Sequence, residues 1–444
     1  MSQRALGTLV VLFLLVVLIF GLGHAGMAMG GAWAWLFLLL ALASLFLLMG
    51  GMSGHGGHGH GSHEHGGAPQ PPQTPCPPEV DTSDIFAHES ERRVGAAMIR
   101  EGRLLAPADD AVASLRERFR GTGWTPLLTP AEDGAPSLAL VPVALDRAER
   151  MGQRYWLHAL LLLATLATTT WAGALHQGIN LLQEPGRFAA GLPYSLGLML
   201  ILGAHEMGHY IAARRHGMHV SLPYFIPVPF ALGTFGAFIS LRSPAPSRRA
   251  LFDMAVTGPL AGLVFAVPAL LIGLPMSTVS ETAPSAMAMH GGGVNVGSSL
   301  LLATLASLGL GDNLTGHVVL LHPLAFAGWL GLLVTALNLL PIGQLDGGHI
   351  SDAMFGQRRS AMIGAAALVA LFGLGIFVWS GLLFWAFIVW FIAGRKGLPP
   401  LNDMTPLGTG RLALGWLALA ILVAILIPVP HELFESLGIQ CPYL

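Results

Sequence analysis

"ILGAHEMGHYIAARRHG", Ile201 to Gly217, sets two histidines and a glutamate in the pattern His-Glu-x-x-His. Residues four apart on a helix face the same way. His205 and His209 can therefore ligate one Zn²⁺ ion, with Glu206 beside them to deprotonate a bound water. Yet these residues lie in an apolar run of membrane length, Tyr194 to Ala213. A glutamate near the middle of a bilayer is costly unless it is paired or functional. Gly203 and Gly208 each weaken the helix by about 1 kcal/mol relative to Ala. They make sense where another element must approach closely.

Working outward, the chain has 444 residues, of which 53% are hydrophobic and 10% charged. Soluble domains carry about 25% charged residues, so the composition reads as a multi-span membrane protein. Cys76 and Cys441 are the only cysteines, which excludes a disulfide framework and a cysteine-based zinc site. Apolar runs predict spans at Leu6–Leu22, Ala32–Met49, Trp156–Leu175, Tyr194–Ala213, Leu251–Leu274, His317–Leu340, Ser360–Trp379, Gly381–Ala393 and Leu412–Ile427. Leu6–Leu22 could be a signal peptide cleaved near Gly26-Met27-Ala28, but a retained anchor is expected because a second apolar run follows at once. Gly381–Ala393 is short for a span, and Ser298–Leu310 is too short. The expected fold is a polytopic α-helical membrane protein of about 8–9 transmembrane helices, with a small soluble α+β domain and a membrane-dipping hairpin.

Four regions follow: two N-terminal transmembrane helices (1–50), a His/Gly- and Pro-rich linker (51–79), a small α+β domain (80–150) and a membrane core (151–444). In the third, Pro107 and Asp109 open a helix with Val112, Leu115 and Phe119 on one face. "GWTPLL" and "SLALVPV" read as strands around a turn at Asp133-Gly134. No nucleotide motif is present, and no nucleic-acid partner is expected. With nine spans threaded, nearly all Arg and Lys fall on one side, which the positive-inside rule makes cytoplasmic. A single lysine, Lys396, amid much Ala, Gly, Leu and Arg suggests a GC-rich bacterial genome. The expected location is a bacterial inner (plasma) membrane, with the N-terminus and soluble domain in the cytoplasm.

The third metal ligand must come from elsewhere, because Ala212 and Arg215 exclude the longer zincin motif. The acids near spans are Asp253, Asp346 and Asp352. Asp346 stands out in "NLLPIGQLDGGHI", Asn338 to Ile350, where Pro341 breaks the helix and Gly347-Gly348 permits tight turns. Unwound backbone at membrane depth is tolerated where it lines a cavity. The threading brings this motif and His209 to one depth.

His-Glu-x-x-His in one span and Asn-x-x-Pro-x-x-x-x-Asp-Gly in a later one resemble the site-2 protease family of intramembrane zinc metalloproteases. The resemblance covers about Tyr194 to Asp352. It implies His205, His209 and Asp346 as ligands of one Zn²⁺ ion and Glu206 as the catalytic residue. It further implies hydrolysis of a peptide bond in the transmembrane segment of a membrane-spanning protein substrate, near the cytosolic face of the lipid bilayer. A role in regulated intramembrane proteolysis follows by analogy. No PDZ-like insertion is evident, whereas many bacterial members carry one.

Between the motifs, Pro223–Pro244 is apolar but punctuated by Pro and Gly, and reads as a membrane-dipping hairpin. Gly233 and Gly236 resemble a family segment that offers an edge to an unwound substrate, although a loop that merely packs over the metal fits too. Asn338 either bonds the substrate or caps the broken helix. His55, His58, His60, His63 and His65 form a tract that binds metal loosely or serves only as linker. This tract keeps a zinc transporter as the competing class. Such a protein would need a second metal-binding motif, and here the second motif is a lone aspartate in a broken turn.

Overall fold

A computed structural model describes residues 79–131, 134–143, 153–229, 232–280, 299–310, 318–377, 381–393 and 399–426. The two N-terminal spans, the histidine tract and the Pro-rich linker lie outside the described residues.

The small domain is a four-stranded antiparallel sheet in the order β1-β2-β4-β3: β1 Phe86–Val94, β2 Ala97–Leu104, β3 Thr125–Pro130 and β4 Pro136–Val141. Helix α1, Ala108–Arg118, begins after Pro107, with acids in its first turn and arginines in its last, as the helix dipole favours. Val112, Leu115 and Phe119 are buried against Leu127, Leu128, Leu138 and Leu140. The β1–β2 hairpin was not expected. β1 is exposed along nearly its whole length, so it lacks the alternation that marks a half-buried strand.

The outer edge of β3 is occupied by residues from far along the chain. Leu128 N–H donates to Leu401 O at 2.8 Å, and Asp403 N–H donates to Leu128 O at 2.8 Å. The same short segment pairs on its other side with the core. Leu401 N–H reaches Ala245 O at 2.9 Å, and Arg248 N–H reaches Asn402 O at 3.0 Å. Asn402 also donates through Nδ2 to Asp109, and Arg248 Nε donates to Asp403 at 2.9 Å.

Among the described residues, nine α-helices follow α1. After α1 come α2 Tyr155–Leu175, α3 Leu192–Arg215, α4 Arg248–Gly273, α5 Leu300–Leu310, α6 Pro323–Asn338, α7 Asp346–Phe355, α8 Gln357–Phe377, α9 Gly381–Ala393 and α10 Thr409–Leu426. Among the described residues, five helical segments are long and apolar enough to cross a membrane: those of α2, α3, α4, α8 and α10. The expected His317–Leu340 span is the 16-residue helix α6, because Pro323 starts it late. α9 has 13 residues. The short α5 packs its Leu302 and Leu305 into the core beside Leu270 of α4 and Leu274 just beyond it. Tyr194, Leu198 and Ile201 of α3 meet Ala266 of α4 and Leu330 of α6 in the same cluster. Leu160, Leu196, Leu200, Val264 and Val369 point outward and exposed, as suits helices surrounded by lipid.

Polar contacts gather one end of the bundle. Gln153, before α2, donates to Val220 O at 3.1 Å, just beyond α3. Asp253 in α4 binds His216 at the end of α3 and Arg411 at the start of α10. The small domain attaches at this end.

Strands β5, Tyr224–Pro227, and β6, Thr234–Phe238, form the hairpin. It runs along α2 from His158, whose Nδ1 donates to Pro223 O at 3.0 Å, to Thr168, whose hydroxyl donates to Gly233 O at 2.7 Å. Ten helical residues correspond to about 15 Å. The Tyr194 hydroxyl holds the tip through Leu232 O at 2.8 Å.

Candidate metal centre

His205, Glu206 and His209 sit in the second half of α3, and all three are buried. His209 Nδ1 lies 2.7 Å from Met254 O. A carbonyl only accepts, so Nδ1 carries the proton and the lone pair is on Nε2. That nitrogen faces Nε2 of His205 at 3.1 Å.

The third side chain arrives from the broken turn. α6 ends at Asn338, and α7 starts at Asp346 rather than continuing as an open loop. Gly347 is packed so tightly on the Leu339 carbonyl that a β-carbon would overlap it, which is why small residues stand here. Asp346 Oδ2 lies 3.2 Å from Nε2 of both histidines. The three atoms form a nearly equilateral triangle. Ligands about 2.0–2.1 Å from a tetrahedral zinc are separated by about 3.3 Å along each edge. Two imidazoles and a carboxylate at these spacings therefore fit one face of such a coordination sphere, and they are the one group of metal-ligating side chains found among the described residues.

Close approach of α4 makes this possible. A β-carbon at Gly208 would strike Thr257 O, and one at Gly258 would strike the His209 ring. Gly258 and Gly262 form a small-x-x-x-small face, a pattern that lets membrane helices pack backbone to backbone. Thr257 Oγ1 secures the crossing through Gly208 O at 3.1 Å. A β-carbon at Gly203 would meet nothing nearer than the tip of Phe225 at 4.0 Å, so the expected close approach is found at Gly208.

Of the other residues singled out, Asn338 lies closest, its Nδ2 3.4 Å from His205 Nε2. Gly233 is pressed against α2 at the hairpin tip, with its carbonyl occupied by Thr168. Gly236 lies within β6, where it bonds the Thr234 hydroxyl. Asp253 is engaged by His216 and Arg411, and Asp352 lines a separate cavity with His349 and Ser360. His55, His58, His60, His63 and His65 lie outside the described residues. Two contributors carry no residue signature, because both are backbone groups: Met254 C=O, and the Ile239 N–H that faces the Glu206 carboxylate. The Gly258–Gly262 spacing was the available signal for α4.

Residues 193–380 match the model of peptidase family M50. The chain is 38% identical over 251 residues to "Probable zinc metalloprotease EGY1, chloroplastic" of Arabidopsis thaliana, covering 56% of this chain and 45% of that protein. It is 29% identical over 311 residues to "Probable zinc metalloprotease EGY2, chloroplastic" of the same plant, covering 68% and 54%. It is 32% identical over 263 residues to "Probable zinc metalloprotease EGY3, chloroplastic" of Oryza sativa subsp. indica, covering 57% and 44%. The chain thus spans about half the length of the curated relatives it matches. No solved structure matches it. The expected bacterial plasma-membrane location is corrected by these relatives, which are named as chloroplast proteins of plants. The charge asymmetry behind that expectation bears only on which loops share a side of a membrane, not on which membrane it is. The matched residues contain both the His205–His209 helix and the Asp346 turn, so the similarity to peptidase family M50, the site-2 protease family, takes in all three side chains of the triangle.

Proposed function

We propose that the chain is a zinc endopeptidase. It hydrolyses a peptide bond in or near the transmembrane segment of a membrane-anchored protein, close to the membrane face that bears the small domain. The observation that supports this most directly is the triangle of His205, His209 and Asp346 with Glu206 alongside. These three side chains would hold Zn²⁺, which when bound supplies Lewis-acid polarisation of a carbonyl and of water. Glu206 takes a proton from the attacking water as its oxygen bonds to the carbonyl carbon. When the C–N bond breaks, Glu206 returns that proton to the leaving amine. Asn338 donates to the substrate carbonyl oxygen. A helical amide is shielded by its own hydrogen bonds, so the substrate must first unwind. Among the described residues β6 pairs only with β5, and its other edge, at Gly236, would receive the extended substrate.

The test is cleavage of a model single-span substrate by the purified chain in detergent. Glu206→Gln should lower turnover at least about 10²-fold while zinc stays bound. A chelator should stop the wild-type reaction, and added zinc should restore it. Undiminished cleavage by Glu206→Gln would end this reading, and zinc uptake into proteoliposomes would point to a transporter instead.

A further inference from the structure

Asp253 is no part of the metal triangle, yet it joins three elements. Its Oδ2 accepts from His216 Nε2 at 2.9 Å and from an Arg411 terminal nitrogen at 2.8 Å, and its Oδ1 accepts from Arg411 Nε at 2.7 Å. The two-point fork on a carboxylate is strong and directional. His216 ends α3, the helix that carries His205, Glu206 and His209. Arg411 lies in the first turn of α10. One residue after Asp253, Met254 offers the carbonyl that takes the His209 Nδ1 proton at 2.7 Å. Four residues after Asp253, the Thr257 hydroxyl binds Gly208 O, one position from His209.

These bonds make the first turns of α4 a register mark for the ligand helix. A slip of α4 by one residue moves its backbone about 1.5 Å along the axis. A 2.7 Å bond to His209 does not survive such a displacement. The close contacts of Gly208 with Thr257 and of Gly258 with His209 oppose such a slip, and the charged bonds at the end of the crossing oppose it as well.

We propose that Asp253 is a positioning residue of the metal centre: it locks α4 against α3 so that Met254 C=O meets His209 Nδ1 and Nε2 is aimed at the metal. This rests on the reading of His205, His209 and Asp346 as metal ligands. Outer partners that orient a ligating imidazole typically account for about 10–100-fold in metal affinity.

The experiment uses the full chain in detergent, loaded with Zn²⁺ in competition with a chromophoric chelator and, separately, with Co²⁺ for its visible absorption. Asp253→Asn should weaken zinc about 10–100-fold and shift the Co²⁺ bands, with helix content by circular dichroism unchanged. Arg411→Gln should do the same, and Arg411→Lys, which keeps the charge but loses the fork, should fall between. Wild-type affinity and wild-type bands in a folded Asp253→Asn would overturn the proposal. Should that variant not fold, Arg411→Gln decides by the same two readouts. The underlying metal reading fails separately, if the wild-type chain takes up no stoichiometric metal or if His205→Ala binds it unchanged.

Discussion

Gly258 lies against the imidazole of His209 so closely that a β-carbon at 258 would overlap Nε2, Cε1 and Cδ2 of the ring. The atom displaced first is Nε2, the proposed metal-binding nitrogen. Gly258→Ala should therefore abolish stoichiometric zinc binding and destabilise the fold by about 1–3 kcal/mol, the usual cost of overpacking. Metal content after dialysis and a thermal melt measure the two effects. A variant with full zinc occupancy would show that the ring has room to retreat.

Asn338 is the last residue of α6, but the C-terminal cap of that helix is made by backbone bonds at Leu339. The contact found for its side chain is with His205, at 3.4 Å. Asn338→Ala should lower kcat/KM about 10²-fold, as loss of a carbonyl-stabilising donor does, with zinc affinity and melting temperature close to wild type. A lower melting temperature with normal turnover would instead assign Asn338 to helix capping.

Asn402 is almost fully buried, and each end of its amide is used. Nδ2 donates to Asp109 and to Thr405 Oγ1, while Oδ1 accepts from Met404 and Thr405 N–H. Asn402→Leu removes those bonds, at about 0.5–1.5 kcal/mol each, because the partners are exposed or half-buried and water can reach them. The expected result is a lower melting temperature and faster proteolysis of the small domain. Limited proteolysis followed by mass spectrometry reads both the rate and the site, and unchanged protection would mean that the domain is held mainly by its apolar contacts.

What could be read from residues alone follows from the range over which physics acts. The i,i+4 spacing of His205 and His209 is local helix geometry, and the Pro341 break with its glycines is local backbone chemistry, so both were visible. The β3–β4 hairpin and α1 showed themselves through apolar periodicity. β1 and β2 did not, because β1 is exposed along nearly its whole length and β2 is half-buried along nearly its whole length, so neither carries an alternating period. The start of α7 at Asp346 was hidden because Gly347-Gly348 argues for a turn, whereas tight packing on Leu339 and Gly343 requires those glycines inside a helix. Met254 and Ile239 act through the backbone, which any residue supplies. The pairing of Leu401–Asp403 with β3 joins segments that nothing in either stretch connects.

That pairing also sets a schedule. Asp109 and Asn402 stand 293 residues apart in the chain. A ribosome adding about 5–20 residues per second needs roughly 15–60 s to cover that distance. Throughout that interval the β3 edge of the small domain stands open, a template for any passing strand. The domain made early is therefore finished late, and its last edge segment, Leu401–Asp403, is delivered only after the helices of the proposed metal centre have been made. An early-folding N-terminal unit would become, in this chain, one of the final joints to close.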